Sequence, residues 1–182
     1  MKAGAAPPRV LLTGAPGSGK TTVVRKVLEL LQGIRAAGFF TEEVRGRAGR
    51  TGFRVVALDG KAARLATVGD GGEPRVGRYV VHLAEFDAVA LPQLESVGHV
   101  DLLVLDEIGK MECLSTGFVE AARRAISAPI PLLGTIALAG GGFIAEAKRS
   151  PGVEIVGISA ETRDALPAAL AARLRASVLL RS

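Results

Sequence analysis

Apolar positions along the chain alternate between two periods, and the switches predict where elements begin and end. Arg9-Val10-Leu11-Leu12 is a short apolar run that reads as a strand buried on both faces. A Gly-rich turn follows, after which Val23, Val24, Val27, Leu28, Leu30 and Leu31 recur at helical spacing and Gly33 marks the stop. The same strand–turn–helix order returns later. A helix is predicted over residues 86–97 despite Pro92, a buried strand over 101–106, a helix over 118–126 and a strand over 131–136. A short helix near 144–149, a strand over 153–158 and a closing helix over 162–175 complete the pattern.

Residues 38–82 have a different character. Phe39 to Val44 and Phe53 to Leu58 read as strands, and Asp59-Gly60 is a tight-turn signal leading into a third over 63–68. Residues 78–82 form a fourth. This stretch is predicted to be a β-rich, antiparallel elaboration of the main sheet. Residues 69–77, rich in Gly and holding Pro74, are the expected mobile loop, and residues 1–8 a frayed leader. Strands alternating with helices elsewhere predict an α/β fold: a mainly parallel sheet flanked by helices, in a single domain over 1–182.

Composition narrows the function classes. Apolar residues make up 48% of 182 and charged residues 23%, the balance of a globular chain and not of a disordered or fibrous one. Aromatics are only 4%, so the core is expected to be aliphatic. The net charge of +5 favours anionic partners, although the charges are spread along the chain. Cys113 is the only cysteine, which excludes an intramolecular disulfide and makes a cytoplasmic setting the expectation. Without a partner signature, Cys113 reads as a small buried hydrophobe. No run approaches the ~20 apolar residues of a membrane span, and Pro7, Pro8 and Arg9 interrupt any signal-peptide core. His82 and His99 are isolated, without zinc-ligand spacing, and no basic, aromatic-studded nucleic-acid surface is indicated.

Two segments carry chemistry. Gly14-Ala15-Pro16-Gly17-Ser18-Gly19-Lys20-Thr21 fits G-x-x-x-x-G-K-[ST] in full, with an apolar strand before it and a helix after it. The glycines let backbone N–H groups converge on an anion, and the helix N-terminus adds partial positive charge. Lys20 is expected to reach the β- and γ-phosphates and Thr21 to offer a hydroxyl to Mg²⁺. Leu102-Leu103-Val104-Leu105-Asp106-Glu107 is a buried strand that delivers a carboxylate beside that loop. Asp106 is expected to hold Mg²⁺ through its water shell, and Glu107 to orient or deprotonate an attacking water. Lys110 is placed either to touch the γ-phosphate or to pair with Glu112. Thr135 is either a γ-phosphate sensor or an ordinary strand-end hydroxyl. Arg75 and Arg78, at the end of the Gly-rich loop, are the candidates for an arginine over the phosphates, with Arg78 the better placed beside its strand.

Beyond the loop, whole runs resemble a known family. Gly14 to Thr22, Gly38-Phe39-Phe40-Thr41-Glu42-Glu43-Val44-Arg45, Gly52-Phe53-Arg54-Val55-Val56 and residues 75–81 are similar to the small nucleoside-triphosphatases of the THEP1 type, the cancer-related nucleoside-triphosphatase family. Leu105-Asp106-Glu107-Ile108-Gly109-Lys110-Met111-Glu112 and Leu133-Gly134-Thr135-Ile136 extend the likeness over most of the chain. The resemblance implies a RecA-like P-loop fold and slow Mg²⁺-dependent hydrolysis of several nucleoside triphosphates (ATP, GTP, CTP, UTP) to diphosphate and phosphate, by a monomer. It also implies that Glu107 activates the water; the other catalytic group expected from the motif is Lys20, which with Mg²⁺ and the loop amides spreads the charge. The nucleotide-binding positions it implies are Gly14, Ala15, Pro16, Gly17, Ser18, Gly19, Lys20, Thr21 and Thr22, together with Leu102, Leu103, Val104, Leu105, Asp106, Glu107, Ile108 and Gly109. Ile158-Ser159-Ala160-Glu161-Thr162-Arg163 departs from the family's Val-Thr-x-Glu-Asn-Arg, and residues 139–149 match poorly. Two other readings share the motifs: a nucleotide or nucleoside kinase with a second acceptor, and a nucleotide-gated switch associated with RNA or protein.

Overall fold

The computed structural model describes residues 6–47, 49–69 and 71–181. Most of the expected leader (residues 1–5) and Asp70 of the Gly-rich loop lie outside them. In chain order the elements are β1 (Arg9–Thr13), α1 (Lys20–Leu30), β2 (Ala36–Gly46), β3 (Gly49–Ala57), β4 (Ala62–Val68), β5 (Arg75–Val76) and β6 (Tyr79–Val81). Then come α2 (Leu83–Leu94), β7 (Leu102–Ile108), α3 (Thr116–Ser127), β8 (Leu132–Ile136), α4 (Gly142–Lys148), β9 (Val153–Gly157) and α5 (Leu166–Leu179).

The strands form one sheet in the order β5-β6-β4-β3-β2-β7-β8-β1-β9. From β2 to β9 every neighbouring pair is parallel, and from β2 to β5 every pair is antiparallel. The expected parallel sheet and its antiparallel elaboration are therefore both present, and β2 is their hinge. Its first half, Ala36 to Phe40, pairs with β7, while Phe39 to Gly46 pairs with β3 and runs on past the parallel strands.

Alternate side chains of the parallel strands feed two cores, which is why these segments read as unbroken apolar runs. Val10, Leu12, Val104 and Leu133 pack under α1 and α5 with Val23, Val27, Leu170 and Leu174. Leu11, Leu103, Leu105 and Leu132 face the other way, toward α2, α3 and α4. Phe39, Phe86 and Phe118 meet edge to face in that second core, with centroids 5.4–5.9 Å apart. A few aromatics thus do concentrated work in a core that is otherwise aliphatic.

Boundaries shifted where proline chemistry decides them. The closing helix begins at Leu166, not near 162, because Pro167 then sits in the first turn, where its missing N–H costs nothing. Residues 161–165 form turns instead, opened by Ser159 N–H donating to Thr162 Oγ1 at 3.0 Å. The helix around Pro92 starts earlier and ends at Leu94, giving way to a 3-10 turn over Glu95–Gly98. The Gly-rich loop contains the short β5, paired antiparallel with β6.

Candidate functional site

The C-terminal ends of β1, β7 and β8 converge on a cleft of about 620 Å³. Its near wall is the β1–α1 loop, its floor the segment after β7, and its far wall the projecting β2–β3 hairpin with β4 and β5.

In the loop, Gly17 and Gly19 have φ of 77° and 94°, left-handed values that a side chain would strain. Ser18 N–H donates to the Ala15 carbonyl at 3.1 Å and closes the turn. Lys20, the first residue of α1, is buried, and its Nζ donates to the Gly14 and Ala15 carbonyls at 3.2 and 3.4 Å. The ammonium is thus curled into the concavity that its own loop forms. Arg163, from the turn after β9, lies against Gly19: a Cβ there would meet Arg163 Cδ at 2.8 Å.

Asp106 and Glu107 lie within β7, which runs on to Ile108. Asp106 is fully buried. Its Oδ1 accepts a hydrogen bond from Thr135 Oγ1 at 2.5 Å, and its Oδ2, also shut off from water, has no hydrogen-bond partner. Burial, helped by the charge of Glu107, pushes its carboxyl up to about 6, against the opposing effects of the Thr135 and Thr21 hydroxyls and of Lys20. A buried carboxylate oxygen without a partner, next to a threonine hydroxyl, suits a hard divalent cation with oxygen ligands. Asp106 and Thr21 are the residues that could hold one.

Around the floor, Glu107, Gly109, Lys110, Met111 and Glu112 line the cleft. Glu112 turns inward and is buried, while Lys110 is exposed, so the sequence-based alternative of a Lys110–Glu112 pair is not formed. Burial lifts the Glu112 carboxyl to about 8, and the charges of Glu107 and Asp106 add to the shift. Glu112 and Glu107 meet across Gly109, where an added Cβ would come within 2.6 Å of Glu112 Oε2 and 3.4 Å of Glu107 Oε1.

Of the nucleotide-binding positions expected from the sequence, Gly14, Pro16, Gly17, Gly19, Lys20, Thr21, Thr22, Glu107 and Gly109 line the cleft, whereas Ala15, Ser18 and the buried Asp106 do not. Nor do Leu102 to Leu105 and Ile108. They are buried in the sheet, and their part is to deliver the two acids. Thr135, next to last in β8, is buried with its hydroxyl on Asp106 and does not line the cleft. Arg75 and Arg78 are turned to local carbonyls. Arg75 Nη2 donates to the Gly69 and Arg78 carbonyls at 2.7 and 3.4 Å, and Arg78 Nη2 to the Arg50 carbonyl at 3.1 Å.

Sequence reasoning missed the far wall: Thr41, Glu43, Arg50 and Phe53 on β2 and β3. Strand parity could have hinted at it, because Thr41 and Glu43 alternate with Glu42, which faces Arg25 of α1. Cys113 is half-buried against the second core, and burial lifts its thiol to about 12, an inert state. His82 Nε2 sits 2.8 Å from Thr67 Oγ1, and no cluster of three or more metal-ligand side chains occurs among the described residues. Nor is any described helix long and apolar enough to cross a membrane.

The chain is similar to curated proteins along nearly its full length. It is 39% identical over 173 residues to the mouse cancer-related nucleoside-triphosphatase homolog, covering 86% of this chain and 91% of that protein. It is 40% identical over 174 residues to the nucleoside-triphosphatase THEP1 of Thermofilum pendens, covering 92% and 96%. Among solved structures, THEP1 from Aquifex aeolicus superposes with a TM-score of 0.81 at 33% identity, over 89% of this chain and 96% of that one. A human cancer-related nucleoside triphosphatase superposes at 0.79 with 38% identity, over 93% and 98%. With the glycine loop, the buried Asp106 and the hinge strand β2 all in one fold, and the NTPase family model matching residues 9–171, the chain belongs to the NTPase family.

Proposed function

We propose that this chain is a nucleoside-triphosphatase that converts ATP, GTP, CTP and UTP to the diphosphate and phosphate with Mg²⁺, acting as a cytoplasmic monomer. The observation that carries the reading is that Lys20 and Thr21 line the cleft and both act on the carboxyl of Asp106, buried behind them with Oδ2 unpartnered. The loop amides and the Lys20 ammonium bind the phosphates, an arrangement whose strength comes from fixed donors in a partly dry site. Thr21 and Asp106 would hold Mg²⁺, which when bound neutralises charge on the phosphate oxygens.

Glu107 orients the attacking water and accepts its proton. Its place beside Asp106 at the cleft floor, with Gly109 leaving the carboxylate room, supports that role.

Phosphate release measured with each of the four triphosphates, with and without Mg²⁺, tests the reading. Glu107→Gln should keep nucleotide binding and lose about 10²–10⁴-fold in kcat. Wild-type turnover in that variant would move the base elsewhere. Transfer of label from the γ-phosphate to a hydroxyl acceptor faster than to water would favour a kinase.

A further inference from the structure

Three cations line the cleft: Lys20 on the near wall, Lys110 on the floor and Arg50 on the far wall, the one arginine among the described lining residues. Lys110 is an exposed ammonium on a flexible stem. Arg50 is held from several sides. Its Nη2 donates to Glu43, diagonally across the hairpin from it, and its guanidinium lies 5.3 Å from the centre of the Phe53 ring. The Tyr79 hydroxyl interacts with it as well, and Tyr79 itself packs edge-on against Phe53 at 5.2 Å. From behind, Arg78 Nη2 bonds the Arg50 carbonyl at 3.1 Å. Arg50 Nε is shut off from water and has no hydrogen-bond partner.

A guanidinium is always charged, planar and pre-set for oxyanions, and this one is braced on the wall of a cleft that holds the glycine loop opposite. Phe53, Arg78 and Tyr79 meet around Arg50.

We propose that Arg50 is a catalytic residue: when nucleotide occupies the cleft, its guanidinium contacts the terminal phosphoryl group and stabilises the charge of transfer, Glu43 being its holding partner otherwise. The inference rests on the hydrolytic reading above. In the step it serves, the water oxygen bonds to the γ-phosphorus as the bond to the β,γ-bridging oxygen breaks. The water's proton goes to Glu107, and the bridging oxygen leaves with the diphosphate. A preset cation opposite Lys20 acts where charge accumulates on the phosphoryl and leaving oxygens. Arg78 is then a positioning residue acting through the Arg50 backbone.

The test compares Arg50→Ala, Arg50→Lys and Arg75→Ala with wild type. It reads phosphate release, melting temperature, and calorimetric binding of ADP alone and of ADP with aluminium fluoride, a mimic of the transferring phosphoryl group. Arg50→Ala should lose about 10²-fold or more in kcat, with KM for ATP changed by less than about threefold. It should still bind ADP but lose the tighter binding that aluminium fluoride confers. Arg50→Lys should recover little, since an ammonium cannot reproduce the fork. If Arg50→Ala fails to fold, the lysine variant decides alone. A kcat within about threefold of wild type and intact aluminium fluoride enhancement would overturn the proposal, provided Lys20→Ala is inactive. Full turnover in Lys20→Ala would overturn the hydrolytic reading beneath it.

Discussion

Along β1, β7 and β8 most side chains are buried, and two polar groups there, Asp106 and Thr135, are fully inside the protein. Across β2, in the antiparallel elaboration, charged groups stand in water as pairs: Glu42 with Arg25 and Arg54, Glu43 with Arg45 and Arg50, Glu85 with Arg64. The carboxylates respond in opposite directions. Glu42 is partly desolvated, yet Arg54 and Arg25 hold it below the usual carboxylate range. Asp106 and Glu112 are pushed up, to about 6 and about 8, because burial dominates and no cation is paired with them. One sheet therefore has a dry half, where acids are costly to ionise, and a wet half, where they are paired and cheap. A polyanion entering the cleft meets both.

The sharpest way to break that contrast is to damage the dry half. Phe118→Ala opens a hole in the triad with Phe39 and Phe86 and should cost about 3–5 kcal/mol in denaturant unfolding. A loss below about 1 kcal/mol would mean that this core is not the stability centre.

Next comes pH. Glu112 is raised in the folded state from 4.5 to about 8, so its contribution to stability is fully present below pH 4.5 and is lost as pH rises through 8. Stability should fall across that window by about 1.4 kcal/mol per pH unit for this one proton. Glu112→Gln should flatten the decline, and an unchanged slope would remove Glu112 as its source.

The ligand side is smaller again. A hundredfold excess of nucleotide over Kd stabilises a folded protein by about 2.7 kcal/mol. Lys20→Ala should forfeit that gain, seen as a melting temperature that no longer rises with Mg²⁺·ATP. A normal rise would take Lys20 out of the phosphate site.

The smallest effect is expected in the wet half. Arg54 pairs with Glu42 at 2.6 Å, but its side chain is 54% exposed. Exposed pairs are worth little in water, so Arg54→Ala should move the melting temperature by less than about 4 °C. A larger shift would show that the pairs act as a network and not singly.

Much of this molecule is legible in the bare sequence, for reasons that can be named residue by residue. The loop from Gly14 to Thr21 is a local object: its glycines, its lysine and the helix behind it are contiguous, so spacing alone specifies the cradle. Val10 to Leu12 and Leu102 to Leu105 are apolar on successive residues because both faces of a parallel strand are covered. The acids at the end of the second run follow from the same pattern.

What only the tertiary structure decided is everything set by partners distant in sequence. Thr135 finds Asp106 from 29 residues away, and that partner makes its hydroxyl a buried hydrogen-bond donor, a role neither sequence alternative named. Glu112 and Lys110 are near neighbours in the chain, yet one is buried and the other exposed, because the turn after β7 folds the acid under Gly109. Arg78 and Arg50 carry the same charge, and no local pattern separates them. The register of β2 on β3 places Arg50 on the cleft wall and leaves Arg78 as its brace. Local spacing determines a loop or a period, whereas burial and long-range pairing determine which charge meets the ligand, since both depend on surfaces that exist only once the chain has folded.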